Sequence, residues 1–158
     1  MAIYEVKGKK ISIVGAERSG IAATRLLQSK GARLFVSDKQ SAEKLKQFAE
    51  LQSLGVAYEV GGHTERIYDA DLIVTSPGVS SNSPVLQEAA RRRIDIVSEL
   101  EAASWFCAAP IIGVTGSNGK TTTTTLLGRM FSDAQKKHVV AGNIGMAFSS
   151  LVTELDKS

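Results

Sequence analysis

Lys10-Ile11-Ser12-Ile13-Val14-Gly15-Ala16-Glu17-Arg18-Ser19-Gly20 opens a stretch that closes on Leu34-Phe35-Val36-Ser37-Asp38 and decides the fold class. The apolar run to Val14 reads as a strand ending in a glycine turn. Ile21 to Leu27 carries apolar residues at helical spacing and stops at Lys30-Gly31, a common helix end. Ala32 to Ser37 reads as a second strand with Asp38 at its tip. Strand, glycine turn, helix and acid-tipped strand form a βαβ unit of the dinucleotide-binding kind. That pattern asks for glycine at position 17, where this chain has Glu17. A carboxylate there repels a pyrophosphate unless it turns outward, which disfavours a nicotinamide cofactor. The favoured reading puts a diphosphate at Arg18 and Ser19, where a helix begins, with Asp38 meeting another part of a nucleotide. A plain ligand-free turn is the alternative.

Outward from this unit the alternation of strand and helix continues. Ser41 reads as the cap of a helix beginning Ala42 to Phe48 and ending near Leu54-Gly55, and Val56 to Val60 as a strand. His63, in the turn Gly61-Gly62-His63-Thr64, reads as a solvated loop residue, with a ligand role as the alternative. Ala70 to Thr75 is a further strand, followed by the loop Ser76-Pro77-Gly78-Val79-Ser80-Ser81-Asn82. In an open parallel sheet such loops face the ligand crevice, which puts Ser76 and Gly78 beside the first glycine turn. Ser83-Pro84 opens a helix running to Arg91–Arg93, whose arginines read as a solvated end. Asp95 to Val97 is a short strand. A helix from Ser98 through Trp105 and Phe106 follows, its two aromatics read as core. Glu99 and Glu101 suit either a metal or the positive end of that helix.

After Ala108-Ala109-Pro110 a second pattern begins. Ile111 to Val114 reads as a buried strand, then come Thr115-Gly116-Ser117-Asn118-Gly119-Lys120-Thr121-Thr122 and a helix to about Ala134. Strand, glycine loop, lysine, hydroxyl and helix form a phosphate-binding corner. Gly116 and Gly119 let successive N–H groups converge on an anion, and the helix dipole adds to them. Lys120 reaches phosphate oxygens as a point charge, and the Thr121 hydroxyl suits Mg²⁺. The strict spacing requires glycine where Val114 stands, so the loop is a variant. His138 to Ala141 reads as a strand, Gly142-Asn143-Ile144-Gly145 as a tight turn, and Met146 to Leu155 as a final helix.

The bulk properties fit this reading. The chain has 158 residues, 43% hydrophobic and 22% charged, with a net charge of +3. That is enough apolar material for a core, and no basic run calls for nucleic acid. The lone cysteine, Cys107, excludes an internal disulfide and reads as a small buried hydrophobe. No run is long enough for a membrane span, and a cytoplasmic location is the expectation.

The loop Thr115 to Thr122 resembles the nucleotide loop of the Mur ligase family. Ser76-Pro77-Gly78-Val79, Ser98-Glu99-Leu100-Glu101 and Gly142-Asn143-Ile144-Gly145 are similar to family motifs in the same order. The resemblance implies a Rossmann-like parallel-sheet domain at residues 1–108 that binds the UDP part of a substrate, followed by the start of a P-loop-type α/β ATPase domain at 109–158. It implies ATP and Mg²⁺ as cofactors. It places ATP on Gly116, Ser117, Asn118, Gly119, Lys120, Thr121 and Thr122, with Lys120 catalytic and Thr121 on the metal. The UDP-substrate would meet Arg18, Ser19, Gly20, Asp38, Lys39, Ser76, Gly78 and Asn143.

Within the family the motifs are most similar to the branch that joins D-glutamate to UDP-N-acetylmuramoyl-L-alanine in peptidoglycan synthesis. There a substrate carboxylate is activated as an acyl phosphate and attacked by the amino-acid nitrogen. The L-alanine-adding and folylpolyglutamate-forming branches, and a non-catalytic nucleotide-binding module, are the alternatives. The chain is expected to be an N-terminal piece, inactive alone, because the D-glutamate site and further magnesium ligands would lie beyond Ser158. The full-length protein is expected to be a monomer. In the piece, the apolar strands of the second part lack sheet partners and are expected to self-associate or to pack on the first part.

Overall fold

The computed structural model describes residues 4–142 and 145–155. Five parallel strands form one sheet in the order β3-β2-β1-β4-β5. They are β1 (Lys10–Val14), β2 (Arg33–Asp38), β3 (Ala57–Val60), β4 (Leu72–Thr75) and β5 (Asp95–Ser98). The helices are α1 (Arg18–Ser29), α2 (Phe48–Ser53), α3 (Pro84–Arg91), α4 (Glu99–Ser104), α5 (Lys120–Asp133) and α6 (Phe148–Leu155). A 3-10 turn, Glu65–Tyr68, lies between β3 and β4. Chain order reverses at β1, where β2 pairs on one side and β4 on the other. The strand ends at that reversal open the crevice in which such sheets bind ligands.

β1 is buried on both faces because it is central, so its apolar residues sort into two cores. Ile11 and Ile13 join Val36, Leu72 and Val74 beneath Ile21 and Leu27 of α1 and Ala102 of α4. Val14 and Ile73 pack on the other face against Val85, Leu86 and Ala89 of α3. Burying each large aliphatic side chain is worth about 1.5–3 kcal/mol. α1 ends where Gly31, at φ 82°, lets its own N–H reach the Gln28 carbonyl and the Ala32 N–H reach that of Leu27. This paired closure needs a left-handed residue, which glycine supplies without strain.

α6 packs on the first core from outside. Phe148 and Val152 meet Leu26 of α1 and Ala103 of α4. Among the described residues no helix is long and apolar enough to cross a membrane.

Four expectations need correction. The helix expected from Ala42 starts at Phe48, because the Ser41 carbonyl takes the N–H groups of Lys44 and Leu45 and closes an isolated turn. α4 ends at Ser104, before Trp105 and Phe106, which are only partly buried; Trp105 stacks on Tyr4 at 4.4 Å. Ile111 to Val114 forms no strand, and Ile111 and Ile112 are exposed. His138 to Ala141 forms none either, apart from a single bridge from Ala141 to Met146. A strand-forming sequence becomes a strand only with a hydrogen-bonding neighbour, and these segments have none among the described residues.

Candidate functional site

The reversal at β1 holds a cleft of about 290 Å³. Gly15, at φ 94°, turns the chain out of β1 and into α1. Gly20 sits so close that a Cβ on it would lie 1.8 Å from the Gly15 carbonyl oxygen. Only glycine lets the first turn of α1 press against this loop. Glu17 is the N-cap residue of α1 and gives no side-chain cap, so the first N–H groups of the helix stand open to a ligand. Its carboxylate also lines the cleft, where the Gln40 amide donates to Oε1 at 3.0 Å and orients it while leaving its charge in place.

Arg18, Ser19, Asp38, Lys39, Ser76 and Gly78 all line the cleft. Gly20 lies behind it as the packing contact just described. Asn143 lies outside the described residues. Arg18 also reaches the second part of the chain, its Nη2 donating to the Gly145 carbonyl at 3.4 Å. Ser76 is nearly buried, and its hydroxyl donates to the Gly15 carbonyl at 3.0 Å, pinning the β4 loop to the first turn.

Asp38 is buried, and both its oxygens are engaged. The Ala16 N–H donates to Oδ2 at 2.6 Å and the Gln40 N–H to Oδ1 at 2.7 Å. The residue first shapes the loops and second faces the cleft.

The sequence reading missed His63. It is half-buried in the cleft wall, with Nδ1 2.7 Å from the Ser37 hydroxyl. That hydroxyl donates to Glu59 Oε1 at 2.7 Å. Glu59 also accepts from the Thr64 N–H at 2.9 Å and the Thr64 hydroxyl at 2.5 Å. Burial opposes the Glu59 charge, but the bonds from Thr64 and Ser37 outweigh it and hold its pKa below the usual value. Burial pushes the His63 imidazole down, against the pull of Glu59 and Asp38. The one local signal was the pair Gly61-Gly62, both left-handed, which folds the turn back over β2. Ser83 also lines the cleft, with its hydroxyl buried and without a partner among the described residues.

The second site is a corner rather than a cleft. Gly119, at φ 76°, is the N-cap of α5, which begins at Lys120. Gly116 is left-handed too. Gly116, Ser117, Asn118, Lys120, Thr121 and Thr122 are exposed around the open N–H groups of the helix. The Lys120 ammonium donates to the Gly116 carbonyl and, at 3.3 Å, to that of Ser117. The loop-to-helix corner is as expected; the strand before it is not formed. The residues fit a polyphosphate, since donors and a cation converge where both glycines bend the loop. Thr121 offers a metal one hydroxyl. Among the described residues no group of three or more His, Cys, Asp or Glu is placed to hold a metal ion.

Glu99 and Glu101 both stand in the first turn of α4, at the positive end of the helix. Glu99 is buried, with Oε1 accepting the Ser149 N–H at 2.7 Å.

The profile of the MurD N-terminal domain matches residues 10–85, and that of the Mur ligase middle domain matches residues 114–156. The UDP-N-acetylmuramoylalanine–D-glutamate ligase of Salinibacter ruber is 47% identical over 157 residues, covering 96% of this chain and 34% of that protein. The enzyme of the same name from Chlorobaculum tepidum is 48% identical over 152 residues, covering 94% and 32%. The chain thus spans about a third of the length of the curated relatives it matches. Among solved structures, UDP-N-acetylmuramate-alanine ligase of Thermotoga maritima aligns with a TM-score of 0.53 at 25% identity, over 80% of this chain and 30% of that one. With two family profiles matched in order along it, the chain belongs to the Mur ligase family.

Proposed function

We propose that the protein containing this chain joins D-glutamate to UDP-N-acetylmuramoyl-L-alanine with consumption of ATP. Residues 1–108 form the UDP-substrate domain, and residues 109–158 open the ATP-binding domain. The observation that carries the reading is the convergence of Arg18, Ser19, Asp38, Lys39, Ser76 and Gly78 on one cleft at the α1 entrance. The names of the relatives, at 43–48% identity, supply the substrate.

Each corner has its own task. At α1, open N–H groups and the Arg18 guanidinium neutralise a diphosphate. At α5, Gly116 to Thr122 wrap a triphosphate, and Lys120 neutralises charge on the group being transferred. Thr121 would contribute a hydroxyl to Mg²⁺, which when bound spreads that charge further. Arg18 reaches Gly145, so the diphosphate end of the first site lies against the second part of the chain.

Calorimetry with UDP and with ATP–Mg²⁺ tests the division. Arg18→Ala weakens UDP binding about tenfold and spares ATP. Lys120→Ala abolishes ATP binding and spares UDP. Equal loss of both ligands from either substitution would refute the two-site reading. Phosphate release that requires all three substrates, measured in a protein of the relatives' full length, tests the ligase reaction.

A further inference from the structure

The Ser37–Glu59–His63 chain has no part in phosphate binding, yet it ends in the cleft. Its proton positions follow from the donors present. Glu59, held ionised, can only accept, so the single Ser37 proton goes to Oε1. Ser37 Oγ must then accept from His63 Nδ1–H. The neutral imidazole is thereby fixed in one tautomer, with its lone pair on Nε2. Backbone bonds hold the ring in place: the Gly61 N–H donates to the Gln40 carbonyl at 2.7 Å, and the Gly62 N–H to that of Asp38 at 3.3 Å.

The two carboxylates in this wall already hold protein donors, though each keeps further lone pairs. Both Asp38 oxygens take backbone N–H groups, and Glu17 Oε1 takes the Gln40 amide. His63 Nε2 has no hydrogen-bond partner among the described residues. On the uridine-nucleotide reading, with the diphosphate at Arg18 and Ser19, the cleft wall of Asp38, Lys39, Gln40 and His63 is left for the nucleoside.

We propose that His63 recognises the nucleotide base, its Nε2 accepting the imide N–H of a uracil ring. This rests on the uridine-nucleotide reading of the cleft and adds a specificity residue to it. Uracil presents a donor at N3, whereas cytosine presents a lone pair there. A tautomer fixed with its lone pair towards the base therefore accepts uracil and repels cytosine. Protonation would turn Nε2 into a donor and reverse the match. The charged groups around the ring are Glu59 and Asp38, which favour the proton, and Lys39, which opposes it.

The test is calorimetry of the 158-residue chain with UDP, CDP and N3-methyl-UDP. At pH 8 the wild type favours UDP over the other two by about tenfold, the worth of one well-made hydrogen bond. The preference shrinks as the pH is lowered through the imidazole titration. His63→Ala binds all three alike. Ser37→Ala keeps the ring but frees its tautomer, and gives an intermediate preference. If His63→Ala does not fold, Ser37→Ala and the pH series decide. A wild-type preference for UDP that survives His63→Ala overturns the proposal and leaves the nucleotide reading standing. So does equal loss of all three ligands with an unchanged melting temperature. A wild type that takes up none of them overturns the nucleotide reading and this proposal with it.

Discussion

Glu99 Oε1 accepts the backbone N–H of Ser149 at 2.7 Å, across fifty positions of sequence and with both residues buried. A carboxylate in the first turn of α4, between the two matched family segments, thus caps the start of α6 in the second of them. Removing it leaves a buried N–H unsatisfied, and hydrogen bonds to charged groups are worth about 1.5–3 kcal/mol. Glu99→Ala should therefore lower stability by about 2 kcal/mol in urea melts. Glu99→Gln keeps an accepting oxygen and should recover part of the loss. An Ala variant as stable as the wild type would show that α6 is held by Phe148 and Val152 alone.

Gly20 offers a sharper steric test. A methyl group there must displace the Gly15 carbonyl or Ser76, whose hydroxyl oxygen would stand 2.9 Å from the new carbon. Overpacking of this kind costs about 3 kcal/mol. Gly20→Ala should lower the melting temperature and weaken UDP binding together, because the same shift opens the α1 entrance. Gly55→Ala, with open space around it but a φ of 65°, should cost stability and leave UDP affinity intact.

The sheet was legible because local punctuation and global packing agree. Gly15, Gly31 and Asp38 bracket β1-α1-β2, and the apolar runs between them fall in the core. Ile111 to Val114 has the same local signature as β4 and yet forms no strand, since pairing is a property of neighbours and not of the segment. The lining of the cleft was legible in the same measure, since Arg18, Ser19, Ser76 and Gly78 stand in the loops at the strand ends where such sheets open. The roles of Asp38, Glu99 and His63 depend on partners 22, 50 and 26 positions away, which spacing alone does not reveal.

Asp38 illustrates the consequence. Its sequence position suggests nucleotide contact, but its geometry makes it a structural acceptor for Ala16 and Gln40. Asp38→Ala should cost about 2–3 kcal/mol of stability as well as UDP affinity. Asp38→Asn should also be destabilised, because its amide nitrogen must face one of two N–H donors. Loss of UDP binding with full stability in both variants would restore the simpler role of direct ligand contact.

The pH dependence of stability separates His63 from Glu59. Folding lowers the His63 pKa from 6.5, chiefly by burial, so between the two values the unfolded chain binds more protons than the folded one. Stability is complete above pH 6.5 and is lost as the pH falls through the lower folded value. Glu59 is also lowered, from 4.5, and its contribution is lost in a separate window beginning near pH 4.5 and extending downward. Urea melts between about pH 8 and pH 3 should therefore show two successive declines. His63→Gln should remove the upper one, and Glu59→Gln should shrink the lower, which Glu43 and Glu88 share because hydrogen bonds hold their carboxyls below the usual value too. A wild-type chain whose stability is flat from about pH 7 to pH 5 would mean that the imidazole titrates as freely in the folded protein as in the unfolded chain.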